Sequence, residues 1–257
     1  KRTLRQWITE GAVWSQHWAY ETPVQHKNPD VQQTDWPRNW IDNFILSRLE
    51  REQLVPSPDA DRVTLLRRVC FDLTGLPPTE EMASQFLSDA SDDSYEKLVD
   101  RLLASPQYGE KMAVYWLDLV RYADTVGYHG DQTQNISPYR DWVIRAYNNN
   151  QPFDDFTRDQ VAGDLVTSPS TSQLIATGYN RLLQTTHEGG LQPKEYRAIY
   201  AADRVRNVSA VWMGATVGCA QCHDHKFDPY TARDFYSLSA FFADVDDEKH
   251  FTAGSNS

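Results

Sequence analysis

Apolar residues recur along this chain at three- and four-residue intervals, the spacing of one face of an amphipathic helix. Over residues 40–54 they fall at Ile41, Phe44, Ile45 and Leu49. A second face, made by Val63, Leu66, Val69, Cys70 and Leu73, follows Asp59 as N-cap and is halted by Gly75 and the Pro77-Pro78 pair. Thr79 caps a third segment, with Glu80 and Glu81 at the positive end of its dipole, and a fourth covers residues 94–104. Ser105-Pro106 and Ser137-Pro138 each place an N-cap before a proline at the first helical position. The first opens a long helix through Tyr115, Trp116, Leu119 and Tyr122, and the second a helix through Trp142, Ile144 and Tyr147. Helical spacing resumes over 153–165 and 174–183, and the longest run begins at Pro193 and passes Val205, Val208 and Trp212 towards Gly218. A last helix spans 231–242. Leu4 to Gly11 reads as the last turns of a helix, whereas 18–40, with Pro23, Pro29 and Pro37, reads as an extended connector. No strand series or tandem repeat stands out, so the predicted fold class is mainly α: an irregular multi-helix domain with long loops.

Composition adds scale to that pattern. With 257 residues, 40% hydrophobic and 12% aromatic, the chain can bury a substantial core as one large domain or two small ones. A net charge of −11 without any Lys/Arg-rich block argues against nucleic-acid binding and suits solubility, or docking to a basic redox partner. No stretch approaches the run of about 20 apolar residues that crosses a bilayer. Residues 1–25 lack an apolar core followed by a small-residue cleavage site, so any targeting segment is expected outside this chain.

The candidate chemistry lies in Cys219-Ala220-Gln221-Cys222-His223, the Cys-x-x-Cys-His attachment signature of a c-type haem. Two thiols three positions apart can each add to a vinyl group of one porphyrin, and the adjoining imidazole of His223 is then held as the proximal ligand to iron. The competing readings are a zinc knuckle, a redox dithiol or plain buried thiols. A structural zinc site usually pairs one Cys-x-x-Cys with a second ligand pair, and the remaining cysteine, Cys70, sits alone on an apolar helical face as an inert thiol. A covalent c-type haem is attached outside the cytoplasmic membrane, so the expected location is periplasmic or at the cell surface.

Other groups bear on that centre. His225 is too close in sequence to His223 to reach the opposite ring face with ease, and is expected to meet a propionate, a carboxylate, another metal or a second haem. Met213 has the spacing of a core residue. His187, beside Glu188-Gly189-Gly190, and His129, in the loop after the Tyr122 helix, are the candidates for a distal ligand. Arg204, Arg206 and Lys226 are candidates to pair with haem propionates, Arg206 being equally at home on a solvated face. Asp224, Asp228 and Glu188 offer oxygen ligands for calcium, but without EF-hand spacing they read better as caps or salt-bridge partners.

Longer phrases carry a family resemblance. Phe71-Asp72-Leu73-Thr74-Gly75-Leu76-Pro77-Pro78, Trp116-Leu117-Asp118-Leu119, Arg121-Tyr122-Ala123-Asp124, Tyr139-Arg140-Asp141-Trp142-Val143-Ile144 and Ala162-Gly163-Asp164-Leu165 occur in order. Glu188-Gly189-Gly190, Asp203-Arg204-Val205 and Cys219 through Pro229 continue the series. Together they resemble the planctomycete-type cytochrome family, the DUF1549 or PSCyt2 domain. That resemblance implies a module of a longer exported protein, between an upstream cytochrome-like domain and a downstream DUF1553-type domain. The implied division is 1–17 as the tail of the upstream domain or an N-terminal helix, 18–40 as connector, 41–247 as the helical haem domain and 248–257 as a tail or linker. His129 and His187 depart from the family pattern, so neither is carried over as a ligand. Asp203-Arg204 belongs to the pattern, which favours an internal role for Arg204.

Three functional classes follow. The favoured one is an exported electron-transfer cytochrome domain with one covalent haem, partnered by a redox protein or a neighbouring haem domain and able to assemble as an oligomer. The second is a haem enzyme with an open distal site for oxidative or peroxide chemistry, using His187 or His129 as acid/base. The third is a structural or binding module in which haem serves mainly as a cross-link.

Overall fold

The computed structural model describes residues 1–13, 17–128, 130–186 and 190–247. Among them are eleven α-helices, three 3-10 turns and one short β-ribbon, and no helix long and apolar enough to cross a membrane. The chain divides into two compact units, Lys1–Ala60 and a larger one that begins at Asp61.

In the first unit, α1 (Arg2–Thr9) stops where the glycine signal stands: Gly11 adopts φ 98° and the Ala12 N–H returns to the Trp7 carbonyl at 2.9 Å. The connector contains a single 3-10 turn, Trp18–Tyr20, before Asn39 opens α2 (Trp40–Arg51). Asn39 and Asp42 form a reciprocal capping box. Glu50 of α2 accepts the N–H groups of Gln32 and Gln33 at 2.9 and 3.2 Å, which pins the connector to the helix.

The larger unit begins with α3 (Arg62–Thr74), α4 (Glu80–Ser88) and α5 (Ser94–Leu103). The cap of α3 is Asp61, not Asp59: its carboxylate accepts the Thr64 N–H at 2.9 Å, a bond that only the residue directly before the first turn can make. Asp59 instead meets Arg38 at 3.1 Å. Thr79 caps α4 as its sequence suggests, and Gly75 ends α3 in the left-handed region at φ 72°. Leu66, Val69, Cys70, Phe86, Leu98 and Leu102 form the core of this layer. Cys70 is enclosed there, and burial raises its thiol pKa, so it is a poor nucleophile.

Helices α6 (Pro106–Leu119) and α7 (Ser137–Asn148) pack tightly because Gly109 has no side chain: a Cβ there would stand 2.5 Å from the Ile144 carbonyl oxygen. The two Ser-Pro signals are only partly realised. Ser105 is the N-cap of α6, but its hydroxyl is buried without a partner, and α7 begins at Ser137 itself with Ile136 as cap. Tyr122 lies beyond α6 because the chain turns left-handed at Arg121. A ribbon, β1 (Thr125–Val126) paired antiparallel with β2 (Gln132–Thr133), follows. Its strands are too short to display an alternating pattern. The aromatic core stacks Trp142 on Phe156 at 5.2 Å and sets Trp116 edge-on to Phe156 at 4.8 Å. Within it, fully buried Gln160 accepts from Trp116 Nε1 (2.9 Å) and the Tyr139 hydroxyl (2.6 Å) and donates to the Phe156 carbonyl (2.9 Å), leaving no polar group of the three unpaired.

After α8 (Phe153–Ala162) and α9 (Thr171–Ala176), the chain makes a 3-10 turn, Thr177–Arg181, where the 174–183 pattern suggests continuous helix. The longest helix, α10 (Pro193–Met213), stops short of Gly218: Gly214 takes φ 58° and the Ala215 N–H closes on the Ser209 carbonyl. The last helix, α11 (Ala232–Ala240), is opened by a capping box between Thr231 and Asp234.

Candidate functional site

The early stop of α10 decides how the Cys-x-x-Cys-His segment is held. The sequence after it folds as a 3-10 turn, Val217–Gln221, with Cys222 as its C-cap. Two residues of the turn face inward. Val217 and Ala220 join Ala202 and Val205 of α10, Phe235 of α11, and Ala215 from the link between α10 and the turn in one buried cluster. Burying side chains such as Val217 and Phe235 contributes about 1.5–3 kcal/mol each, enough to seat a short turn that could not persist alone. The alternate positions, Cys219, Cys222 and His223, are exposed, and both thiols are free.

The turn is clamped from both neighbouring helices. Gly218 lies under the stem of Arg206, where a Cβ would come within 2.7 Å of Arg206 Cγ, and the Arg206 guanidinium reaches the Gln221 side chain. From α11, the Tyr236 hydroxyl donates to the Gln221 carbonyl at 3.0 Å. The Asp224 carboxylate accepts the first N–H of α11, from Ala232, at 2.8 Å. Asp224 is therefore a cap, one of the two roles its sequence setting suggests.

Two histidines two positions apart are held in opposite tautomers. His223 Nδ1 lies 2.7 Å from the Asp224 carbonyl oxygen. A carbonyl only accepts, so Nδ1 carries a proton, and the lone pair of the neutral form of this exposed side chain lies on Nε2. His225 is the reverse: its Nδ1 accepts the backbone N–H groups of Phe227 (3.2 Å) and Asp228 (2.8 Å), so the proton resides on Nε2. That Nε2 faces the Thr216 hydroxyl at 3.1 Å and the Asp228 carboxylate at 3.5 Å. His225 thus organises the loop after the motif and meets a carboxylate, and neither of its nitrogens offers a lone pair to a metal.

This donor set suits covalent haem attachment: two uncombined thiols on the outer side of an anchored turn, followed by an imidazole whose second nitrogen is oriented by a carbonyl, as is usual for a metal-ligating histidine. Among the described residues no three His, Cys, Asp or Glu side chains converge as a metal-holding group, which leaves a closed zinc site or a calcium site without a ligand set there.

The remaining candidates are dispersed. Arg204 is buried and forms a two-pronged pair with Asp247 at 2.9 and 2.7 Å, with Nε donating to the Asn180 carbonyl at 3.2 Å. Propionate pairing by Arg204 would require opening that pair. Arg206, by contrast, touches the motif itself. Lys226 is exposed, its ammonium 5.0 Å from the Phe227 ring centre. Met213 is 49% exposed at the end of α10, not in the core its spacing suggests, because the helix stops there. His129, His187 and Glu188 lie outside the described residues, and so does the segment 248–257. The clamp by Tyr236 was not legible in the sequence, since it depends on α11 folding back across the turn; the glycine at 218 was the one available sign of a close approach.

Over residues 40–247 the sequence matches the model of PSCyt2, described as a protein of unknown function (DUF1549). No curated protein and no solved structure matches the chain.

Proposed function

The chain belongs to the PSCyt2 (DUF1549) family, and from that premise we propose that it is a c-type cytochrome domain that carries one covalent haem and transfers electrons as part of a larger exported redox protein. The observation that carries this reading is the His223 Nδ1 bond to the Asp224 carbonyl at 2.7 Å, which presents Nε2 as a ligand directly after two exposed free thiols. Cys219 and Cys222 would hold the haem through thioether links, and His223 would ligate its iron. When bound, the haem supplies one-electron redox chemistry at its iron.

The protein's own part is positional. Val217 and Ala220 hold the turn against α10 and α11, so the two thiols remain on its outer side while the backbone stays fixed. The Asp224 carbonyl keeps the His223 ring from adopting the tautomer that would place a proton on Nε2. Arg206 and Lys226 are the cations available to propionates, while the exposed rings of Phe227 and Tyr236, 78% and 59% accessible, provide apolar surface beside the motif.

The test is production of the protein by export through a cytochrome c maturation system, followed by a pyridine haemochrome spectrum and haem staining after denaturing electrophoresis. The expected result is haem that stays with the polypeptide and is lost in Cys219→Ala/Cys222→Ala. A His223→Ala variant should alter the iron's ligand field. Absence of covalent haem from the matured wild-type protein, or its retention in the double variant, overturns the reading.

A further inference from the structure

A second feature of the larger unit is an open cavity of about 540 Å³ between the β1–β2 region and residues 182–184, lined about equally by polar and apolar surface, a volume within the range of small-molecule sites, about 300–1,000 Å³. Its wall includes Arg121, Thr125, Gly127, Asp131 and Gln134.

Arg121 is an unusual residue for its position. It ends α6 at φ 62°, with the Tyr122 N–H closing back on the Leu117 carbonyl at 2.8 Å, a helix stop at which glycine is the unstrained choice. The strain is retained along with a guanidinium that donates Nη1 and Nη2 to the two Asp203 oxygens, at 2.9 and 2.7 Å, while facing the cavity. Among the described residues its Nε–H has no acceptor. Asp203 already matches the charge of Arg121, so the uncompensated charge in the wall is that of exposed Asp131, which disfavours anions.

The rest of the wall is preset. Gln134 donates Nε2 to the Arg181 carbonyl at 3.3 Å and its backbone N–H to the Asp124 carbonyl at 2.8 Å, which leaves its side-chain oxygen as an acceptor. Gly127, at φ 149°, could carry no Cβ, which would fall 2.1 Å from the Gly130 oxygen. A carboxylate, an amide oxygen, a hydroxyl and a guanidinium edge in the wall of one cavity form a mixed set of acceptors and donors. Adjacent hydroxyl groups, each both donor and acceptor, match such a set, whereas an apolar ligand would leave it unpaired. A divalent cation would need a convergent ligand group, and none occurs among the described residues.

We propose that this cavity binds a neutral polyhydroxylated molecule of the sugar class, with Asp131 and Gln134 accepting from its hydroxyls and Arg121 donating to them. The site is independent of the haem assignment.

Saturation-transfer-difference NMR on the full chain, with the methyl glycosides of glucose, galactose and mannose at millimolar concentration, tests it. At least one glycoside should receive saturation, and Asp131→Ala and Arg121→Gly should each weaken its binding about tenfold, the loss of a hydrogen-bonding partner for the ligand. Glycine adopts the left-handed conformation freely and Asp131 is exposed, so both variants should fold, which their far-UV circular dichroism checks. The proposal is overturned if no glycoside binds, if both variants bind as the parent does, or if citrate or phosphate binds in the cavity in place of the sugars.

Discussion

Removing the carboxylate of Asp247 should be among the most damaging single changes in the larger unit. Arg204 and Asp247 are only 4% and 8% accessible and are joined by two short charge-assisted bonds, so neither is screened by water. Asp247→Ala leaves a buried guanidinium whose one remaining partner among the described residues is the Asn180 carbonyl, a situation that costs about 3–5 kcal/mol. With a urea dependence of roughly 2–3 kcal/mol per molar for a unit of this size, the unfolding midpoint should fall by about 1–2.5 M. The pair itself is not expected to add much net stability, because each ion surrendered its hydration to enter the core. Arg204→Met combined with Asp247→Leu should therefore recover most of the loss. Equilibrium urea unfolding followed by near-UV circular dichroism of the buried tryptophans measures the parent, the single variant and the double variant. A loss below about 1 kcal/mol for Asp247→Ala, or a double variant no more stable than the single one, would refute the argument that an unpaired buried charge dominates.

Two further outcomes are expected. Gly109→Ala should destabilise the α6–α7 pair by about 1–3 kcal/mol, since its Cβ would press on the Ile144 backbone oxygen, which cannot rotate away as a side chain can; an unchanged thermal midpoint would contradict this close approach. On acidification, the carboxyls of Asp61, Asp89, Asp93 and Asp234 should become liabilities. All four are held below their ordinary value of 3.8, Asp61 and Asp234 chiefly by backbone N–H groups, Asp89 by the Ser91 hydroxyl and Asp93 by Lys97. A lowered folded pKa means stabilisation that is present above the unfolded value of 3.8 and disappears as the pH falls through the lower folded one. Stability measured in Asp61→Asn, which retains a capping side chain, should therefore run parallel to the parent's above about pH 5 and decline less steeply below about pH 4. Parallel curves throughout would show that the cap's charge is irrelevant.

What this chain's sequence determined alone is what depends on neighbours within a few positions. Helical periodicity, the stops at Gly11 and Gly75 and the Thr79 cap all follow from local backbone chemistry, and each is present. The family was legible for the same reason, because its phrases, like the Cys-x-x-Cys-His run, are written in contiguous residues. Tertiary structure decided where local signals compete or where partners are distant. Asp59 and Asp61 are both good caps, and the start of α3 at Arg62 selects the second. Gly214 and Gly218 are both good stops; α10 ends at the first, and the second is kept bare by the stem of Arg206. The family pattern favours an internal role for Arg204, but its partner is not written nearby: Arg204 is committed to Asp247, 43 positions away, and Arg206 to the motif. Likewise, the motif singles out His223 by position, but no local rule sets the tautomers of His223 and His225. Their opposite protonation arises from which backbone groups the folded turn brings to each ring: an acceptor to Nδ1 of the first and two donors to Nδ1 of the second.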